Sequence, residues 1–247
     1  VPDNATIVVS GGGTGIGRAV AHHLVADGKH VTVVGRRRSP LDAVRAELGR
    51  VDVVAADVST EAGAAEVAEC VTLAGRRCAG VVAAAGGLAL GADGERSLSE
   101  VRTEWQASFE SNVLTAVLLV EALRAQLEGC GGRVVLLSSI AAYRGAGGGP
   151  YAAMKAALHG WVHDLARELG AYGGTANVVA PGFVPDTEFW ADRLTEDGRA
   201  RRVAQTFLGR EGKPGEVASL IGWLFGPDAG WFTGQIISPN GGVVPGR

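Results

Sequence analysis

The sequence predicts an α/β fold: a single doubly wound parallel sheet of about seven strands with helices on both faces. Three observations carry this. Short apolar runs of strand length recur along the chain, each followed by a longer segment with apolar residues at helical spacing. The first run opens directly into a glycine cluster, Ser10-Gly11-Gly12-Gly13-Thr14-Gly15-Ile16-Gly17. Repeated strand–helix units of this kind give parallel strands joined by right-handed crossovers. No linker, solenoid repeat or composition shift divides the 247 residues, so one domain over 1–247 is expected, ample for a sizeable core.

Thr6-Ile7-Val8-Val9 reads as the first strand, and the helix after the glycines runs from Arg18 to Asp27, stopped by Gly28. Val31-Thr32-Val33-Val34 is the second strand, ending in Gly35-Arg36-Arg37-Arg38, with a helix from about Pro40 to Leu48. Val51 to Ala56 is the third strand, ending at Asp57-Val58; residues 61–75 are alanine-rich and helical. Gly80 to Gly87 is the fourth strand, running into small residues, and 88–98 is a loop. Residues 99–128 are helical, with a break near Ser111-Asn112. Arg133 to Ser139 is the fifth strand, Ala141 to Pro150 a glycine-rich loop, and Tyr151 to about Leu169 a helix. Thr175 to Ala180 is the sixth strand. Residues 186–212 mix aromatics with charges and read as a helical flap over the site. A helix over 215–225 and a last strand at Gln235-Ile236-Ile237 complete the chain.

Composition narrows the function classes. The formal net charge is −3 with no basic stripe, so nucleic acid is not an expected partner. No apolar run reaches membrane-spanning length and no secretory signal segment is evident, so no membrane association is expected. Cys70, Cys78 and Cys130 have no metal-ligand spacing and are odd in number; they read as reduced thiols in a cytoplasmic protein.

Strand, glycine turn, helix is the setting in which backbone N–H groups cradle a pyrophosphate. The end of the second strand ordinarily meets the adenosine ribose. An acid there accepts from a free 2′-hydroxyl, whereas arginine pairs with a 2′-phosphate. Three arginines and no acid favour NADP(H) over NAD(H), against the reading of a solvated basic turn. Asp57 is placed to accept from an adenine amino group, or equally to cap the helix that follows. Tyr151 and Lys155 lie one helical turn apart on one face. An ammonium beside a phenol lowers its pKa from the ordinary ~10. A hydroxyl from Ser138 or Ser139 then holds a carbonyl oxygen beside the phenol, completing a proton-transfer site for a carbonyl/alcohol pair.

These motifs, in this order, resemble the short-chain dehydrogenase/reductase family over essentially the whole chain, in its ketoreductase-like form. The resemblance implies a Rossmann-like sheet and hydride transfer between a nicotinamide and a small-molecule carbonyl or alcohol. It implies a catalytic set of Asn112, Ser139, Tyr151 and Lys155, with Ser139 preferred because Ile140-Ala141-Ala142 follows it. Gly11, Gly13, Thr14, Gly15, Ile16 and Gly17 would hold the pyrophosphate side of the cofactor. Arg36, Arg37, Asp57 and Val58 would hold the adenosine side, and Ala84, Ala85 and Gly86 would leave it room. Tyr151, Lys155, Pro181, Gly182, Val184 and Thr187 would meet the nicotinamide half. Asn240-Gly241-Gly242 matches the family's C-terminal signature, and family members are commonly homotetramers or dimers.

Two departures stand out. Ala83-Ala84-Ala85-Gly86 replaces an asparagine-bearing motif, and one extra residue separates Val184 from Thr187. Phe183, Phe189, Trp190 and Tyr143 suggest an apolar or aromatic substrate pocket. The same frame would also serve imine or enoyl reduction, dehydration, epimerisation, or non-catalytic NADP binding.

Overall fold

The structure is a computed structural model describing residues 4–88, 96–146, 149–190 and 194–245. Seven parallel strands form one sheet: β1 (Ala5–Ser10), β2 (Val31–Gly35), β3 (Val51–Ala55), β4 (Arg77–Ala83), β5 (Arg133–Leu137), β6 (Thr175–Val179) and β7 (Ile236–Ile237). Their order across the sheet is β3-β2-β1-β4-β5-β6-β7. The chain winds outward from β1 to β3, then returns past β1 to begin β4 and winds the other way. The two windings separate between β1 and β4, and ligands of such sheets bind in the crevice at the C-terminal ends of the strands there.

Alternate residues of the strands feed two cores, as the period of two requires. Val8, Val81, Val134 and Val178 face one side, packed on α3 (Glu61–Leu73), α5 (Thr115–Glu128) and α7 (Tyr151–Gly170) through Val67, Leu123 and Leu165. Val9, Val82, Val135 and Val179 face the other, packed on α1 (Gly15–Ala26), α2 (Arg38–Leu48) and α9 (Pro214–Leu224) through Leu24, Val44 and Ile221. His23 lies on α1 where that helix meets α9: a methyl group at Gly222 would sit 2.2 Å from its imidazole ring. His22 bonds Glu47 at 2.9 Å, an acid that also pairs with Arg18. Among the described residues no helix is long and apolar enough to cross a membrane.

Several elements differ from the sequence expectation. The fourth strand begins at Arg77 and stops at Ala83, because Ala84 to Gly87 turn away into the crevice. Ala141–Arg144 form a short helix, α6, where a loop was expected; Ser139 accepts from the Ala141 N–H at 3.1 Å and starts the turn. Within 186–212 the described helix is α8 (Glu196–Val203), capped by Thr195; residues 186–190 form turns, and 191–193 lie outside the described residues. The expected break near Ser111-Asn112 is present, as a π turn over Glu110–Leu114 between α4 (Leu98–Phe109) and α5. Such turns place an extra residue in the helix and re-aim its neighbours. The capping box of Ser97 with Glu100 sets the start of α4.

The turn that carries Asp57 is held against the start of α3. Thr60 caps the helix by accepting from the Gly63 N–H at 3.1 Å. A methyl group at Gly63 would lie 2.1 Å from the Asp57 carbonyl oxygen, a backbone atom with little room to yield. Gly63→Ala is therefore expected to cost about 1–3 kcal/mol. A chemical-denaturation midpoint unchanged from the parent would contradict this packing.

Candidate active site

Two adjoining cavities, of about 370 and 580 Å3, lie at the C-terminal ends of the strands and share Gly11, Thr14, Ala85, Gly86, Gly87, Leu88 and Glu188. The glycine loop forms their common wall. Gly11 has φ +66°, a left-handed conformation that glycine adopts without strain. A Cβ on it would lie 2.8 Å from the Ala84 carbonyl oxygen, so the loop after β1 and the segment after β4 touch backbone to backbone. Gly17 is excluded from having a side chain by the Gly11 carbonyl at 2.3 Å. This leaves a backbone-lined trough ending at the start of α1, where free N–H groups and the helix dipole favour phosphate.

The larger cavity is bordered by Gly13, Arg36, Arg37, Asp57 and Val58. Asp57 accepts from the Ser59 backbone N–H at 3.0 Å and from its hydroxyl at 2.7 Å. These bonds from Ser59, helped by the charge of Arg36, hold its carboxyl below the usual carboxylate range. The three arginines have separate partners. Arg38 pairs with Asp42 along α2 at 3.0 Å, Arg36 lies in the field of Asp57, and Arg37 reaches across to Glu188.

The smaller cavity is bordered by Gly15, Ile16, Gly17, Ala84, Ser139, Tyr151, Lys155, Pro181, Gly182, Val184 and Thr187. Ser138 borders it too, but its hydroxyl donates to the Lys155 carbonyl at 2.9 Å and meets His159 Nε2 at 2.8 Å. That hydroxyl ties α7 to the end of β5. Ser139 is the serine whose hydroxyl hydrogen-bonds the phenol of Tyr151. The two adjacent serines thus face different ways.

Tyr151 and Lys155 are both buried. Burial pushes the phenol up to about 12, against the Ser139 hydrogen bond, and pushes the Lys155 ammonium down to about 8. The expected lowering of the phenol by the lysine is not seen here. The Lys155 Nζ is 5.8 Å from the ring centroid and donates to the Leu137 carbonyl at 3.0 Å, so desolvation dominates both groups.

Asn112 borders neither cavity. Its side chain lies behind them, 1% exposed, and grips Gly87: Nδ2 donates to the Gly87 carbonyl at 2.8 Å and Oδ1 accepts from the Gly87 N–H at 3.1 Å. A Cβ on Gly86 would sit 2.7 Å from Asn112 Oδ1 and 3.0 Å from Lys155 Nζ, so these groups surround one glycine. Ser10 adds a second fastening by accepting from the Ala85 N–H at 3.2 Å. Ser10 and Asn112 together anchor the segment whose usual asparagines are missing.

Thr187 reaches the cavity despite the extra residue before it, with its Cβ 3.2 Å from where a Gly15 side chain would begin. Gly182 donates to the Pro239 carbonyl at 3.0 Å and packs on Asn240, whose Cα would be 2.7 Å from a Cβ there. The C-terminal Asn-Gly-Gly signature thereby supports the floor beside Pro181. Above the phenol, Phe189 stands 5.6 Å from the Tyr151 ring, and Trp190 packs edge-on against Phe189 and Phe183. Arg202 covers Trp190 at 4.7 Å. Tyr143 instead tilts against His159 at 5.1 Å. Sequence reasoning missed Glu188; it follows Asp186-Thr187 and precedes Phe189, and nothing local marks its partner.

A family model described as enoyl-(acyl carrier protein) reductase matches residues 11–244. The short-chain reductase protein NovJ of Streptomyces niveus is 32% identical, over 98% of this chain and 95% of that protein. Among solved structures, an actinorhodin polyketide ketoreductase variant with NADPH superposes with a TM-score of 0.88 at 26% identity, covering 99% of this chain and 98% of that one. The Pseudomonas aeruginosa RhlG/NADP active-site complex gives 0.86 at 27% identity, covering 97% and 96%. Sheet order, glycine trough, the Ser139–Tyr151–Lys155 cluster and these relatives agree: the chain belongs to the short-chain dehydrogenase/reductase family of oxidoreductases.

Proposed function

We propose that this protein is an NADP(H)-dependent ketoreductase acting on a small, aromatic or polyketide-like carbonyl/alcohol substrate. The observation that carries the reading is the convergence of Ser139, Tyr151 and Lys155 in the smaller cavity, beside a glycine trough where Gly11 and Gly17 leave no room for side chains. The trough and its arginines fit a dinucleotide bearing a 2′-phosphate, held by Gly11 to Gly17 at the pyrophosphate and by Arg36 and Arg37 at the ribose phosphate. NADP(H), when bound, supplies or accepts the hydride. The NADPH- and NADP-bound relatives support the same choice.

The chain's own residues supply the proton and the orientation. Ser139 holds the substrate oxygen next to the phenol. Tyr151 gives that oxygen its proton in reduction, and the Lys155 ammonium, 5.8 Å from the ring centroid, is the positive charge that would face the phenolate once substrate and cofactor are bound. Leu137 positions Lys155 through its carbonyl, and Asn112 fixes Gly87 so that Gly86 packs between the Asn112 amide and the Lys155 ammonium. Phe189, Trp190 and Phe183 give the substrate an aromatic wall, which favours a flat or apolar carbonyl compound. A helical flap built around 186–212, with α8 as its helical part, would cover that substrate.

Arg124 pairs with Glu168 at 2.9 Å and with Glu121, and lies near Glu128, while Arg167 pairs with Asp164. Carrier-dependent members of the family tend to carry basic residues just before the fifth and sixth strands. Here those places read Gly129-Cys130-Gly131 and Tyr172-Gly173-Gly174, and the nearby arginines already have acidic partners, which supports a free small molecule over a carrier-bound thioester. Enoyl reduction, the activity in the family model's description, is the second reading; product analysis with matched ketone and enone substrates separates the two.

Tyr151→Phe removes the proton donor without emptying the trough. Ketone reduction should fall by about two to four orders of magnitude, with NADPH affinity within about twofold of the parent. Near-parental turnover would refute the assignment. In the parent, kcat/KM for reduction should hold steady at neutral pH and fall above about 8, as Lys155 loses its charge.

Stability follows from the same lysine. An unfolded lysine keeps its proton to ~10.4, whereas folded Lys155 releases it at about 8. Between those values the unfolded chain binds the extra proton, so stability rises with pH; below them the buried ammonium is a constant cost. Tyr151 acts oppositely above its unfolded value of ~10: the folded phenol keeps its proton to about 12, so stability then falls as pH rises. Lys155→Met should therefore be inactive yet more stable at neutral pH by about 1–3 kcal/mol, with the rise above pH 8 abolished. A variant less stable than the parent at neutral pH, by thermal denaturation, would overturn this account.

A further inference from the structure

We infer that Glu188 is a specificity-determining residue that competes with the cofactor's 2′-phosphate for Arg37. The inference rests on the NADP(H) reading above. Arg37 and Glu188 are 151 positions apart in sequence and meet as an ion pair across the cleft. Arg37 borders the larger cavity, at the end of β2, where the ribose phosphate belongs. Glu188 borders both cavities. Of the three consecutive arginines, Arg37 alone takes an acid from the far wall: Arg38 is satisfied along its own helix, and Arg36 lies beside Asp57.

A carboxylate on that guanidinium occupies the donors that a phosphate would use. A cofactor carrying the 2′-phosphate must displace Glu188, and one lacking it need not. The displaced side chain sits between Thr187, which packs on Gly15, and Phe189, which packs on the Tyr151 ring. Exchange of partners at Arg37 therefore reaches both the pyrophosphate trough and the phenol.

The size of the effect follows from exposure. The two side chains are 63% and 55% exposed, so the pair is solvent-screened and the competition modest. Glu188→Gln keeps the side-chain volume and removes the competing charge. NADPH and NADH dissociation constants, measured by fluorescence titration on the full chain, provide the test, with adenosine 2′,5′-bisphosphate against ADP as fragment probes.

The expected result is NADPH and the bisphosphate binding about two- to fivefold more tightly to Glu188→Gln, with NADH and ADP unchanged. The gain should shrink at high salt and vanish in the Arg37→Ala, Glu188→Gln double variant. A purely structural role for Glu188 would move both dinucleotides together and leave their ratio as in the parent, which overturns the inference. Parent protein that binds NADPH no more tightly than NADH would instead refute the NADP(H) reading itself.

Discussion

The architecture depends on a close approach of two backbones. Where the sheet's two windings part, the loop after β1 and the segment after β4 leave the same edge and touch at Gly11 and Ala84, with no space for a Cβ between them. A side chain at Gly11 would push them apart and would also need a backbone conformation that L residues rarely adopt. Everything functional is arranged along that seam. The trough runs along one side, and Ala85 to Gly87 form the other, fastened by Ser10 and Asn112. Each fastening satisfies polar backbone groups in a segment that has left the sheet ladder, where unpaired groups would be costly.

Around the seam, burial rather than pairing sets the electrostatics. Lys155 and Tyr151 are both driven toward their neutral forms, with Leu137 and Ser139 supplying the compensating hydrogen bonds. A lysine held near 8 is poised close to the pH at which the chemistry would run. The cost of desolvating it is met by the two cores beneath, whose valines and leucines are almost fully buried on either face of the sheet.

Much of this was legible in the sequence because its signals are local. Strand-length apolar runs, the glycine cluster and the Tyr151–Lys155 spacing each specify a conformation within one turn or one strand. The choice between Ser138 and Ser139 was less accessible. It depends on which hydroxyl meets His159 and the Lys155 carbonyl, a matter of how β5 enters α6. The helix at Ala141–Arg144 was hidden by the glycines that follow it, since composition averages over the whole stretch. The effect of Lys155 on the phenol was misjudged for a different reason. Spacing places two groups on one face but does not reveal the depth at which they lie. Glu188 was invisible because its partner is made a neighbour only by the fold.

Asn112 has an evolutionary consequence. Its amide reads both the N–H and the C=O of Gly87, so the rotational setting of the helix pair α4–α5 is locked to the cleft wall. A one-residue insertion or deletion in either flank would swing that amide away and unpin the wall. Trp105 and Phe109 of α4, by contrast, are part-exposed to solvent. Exchange of an exposed side chain leaves that register intact, whereas a change of length does not.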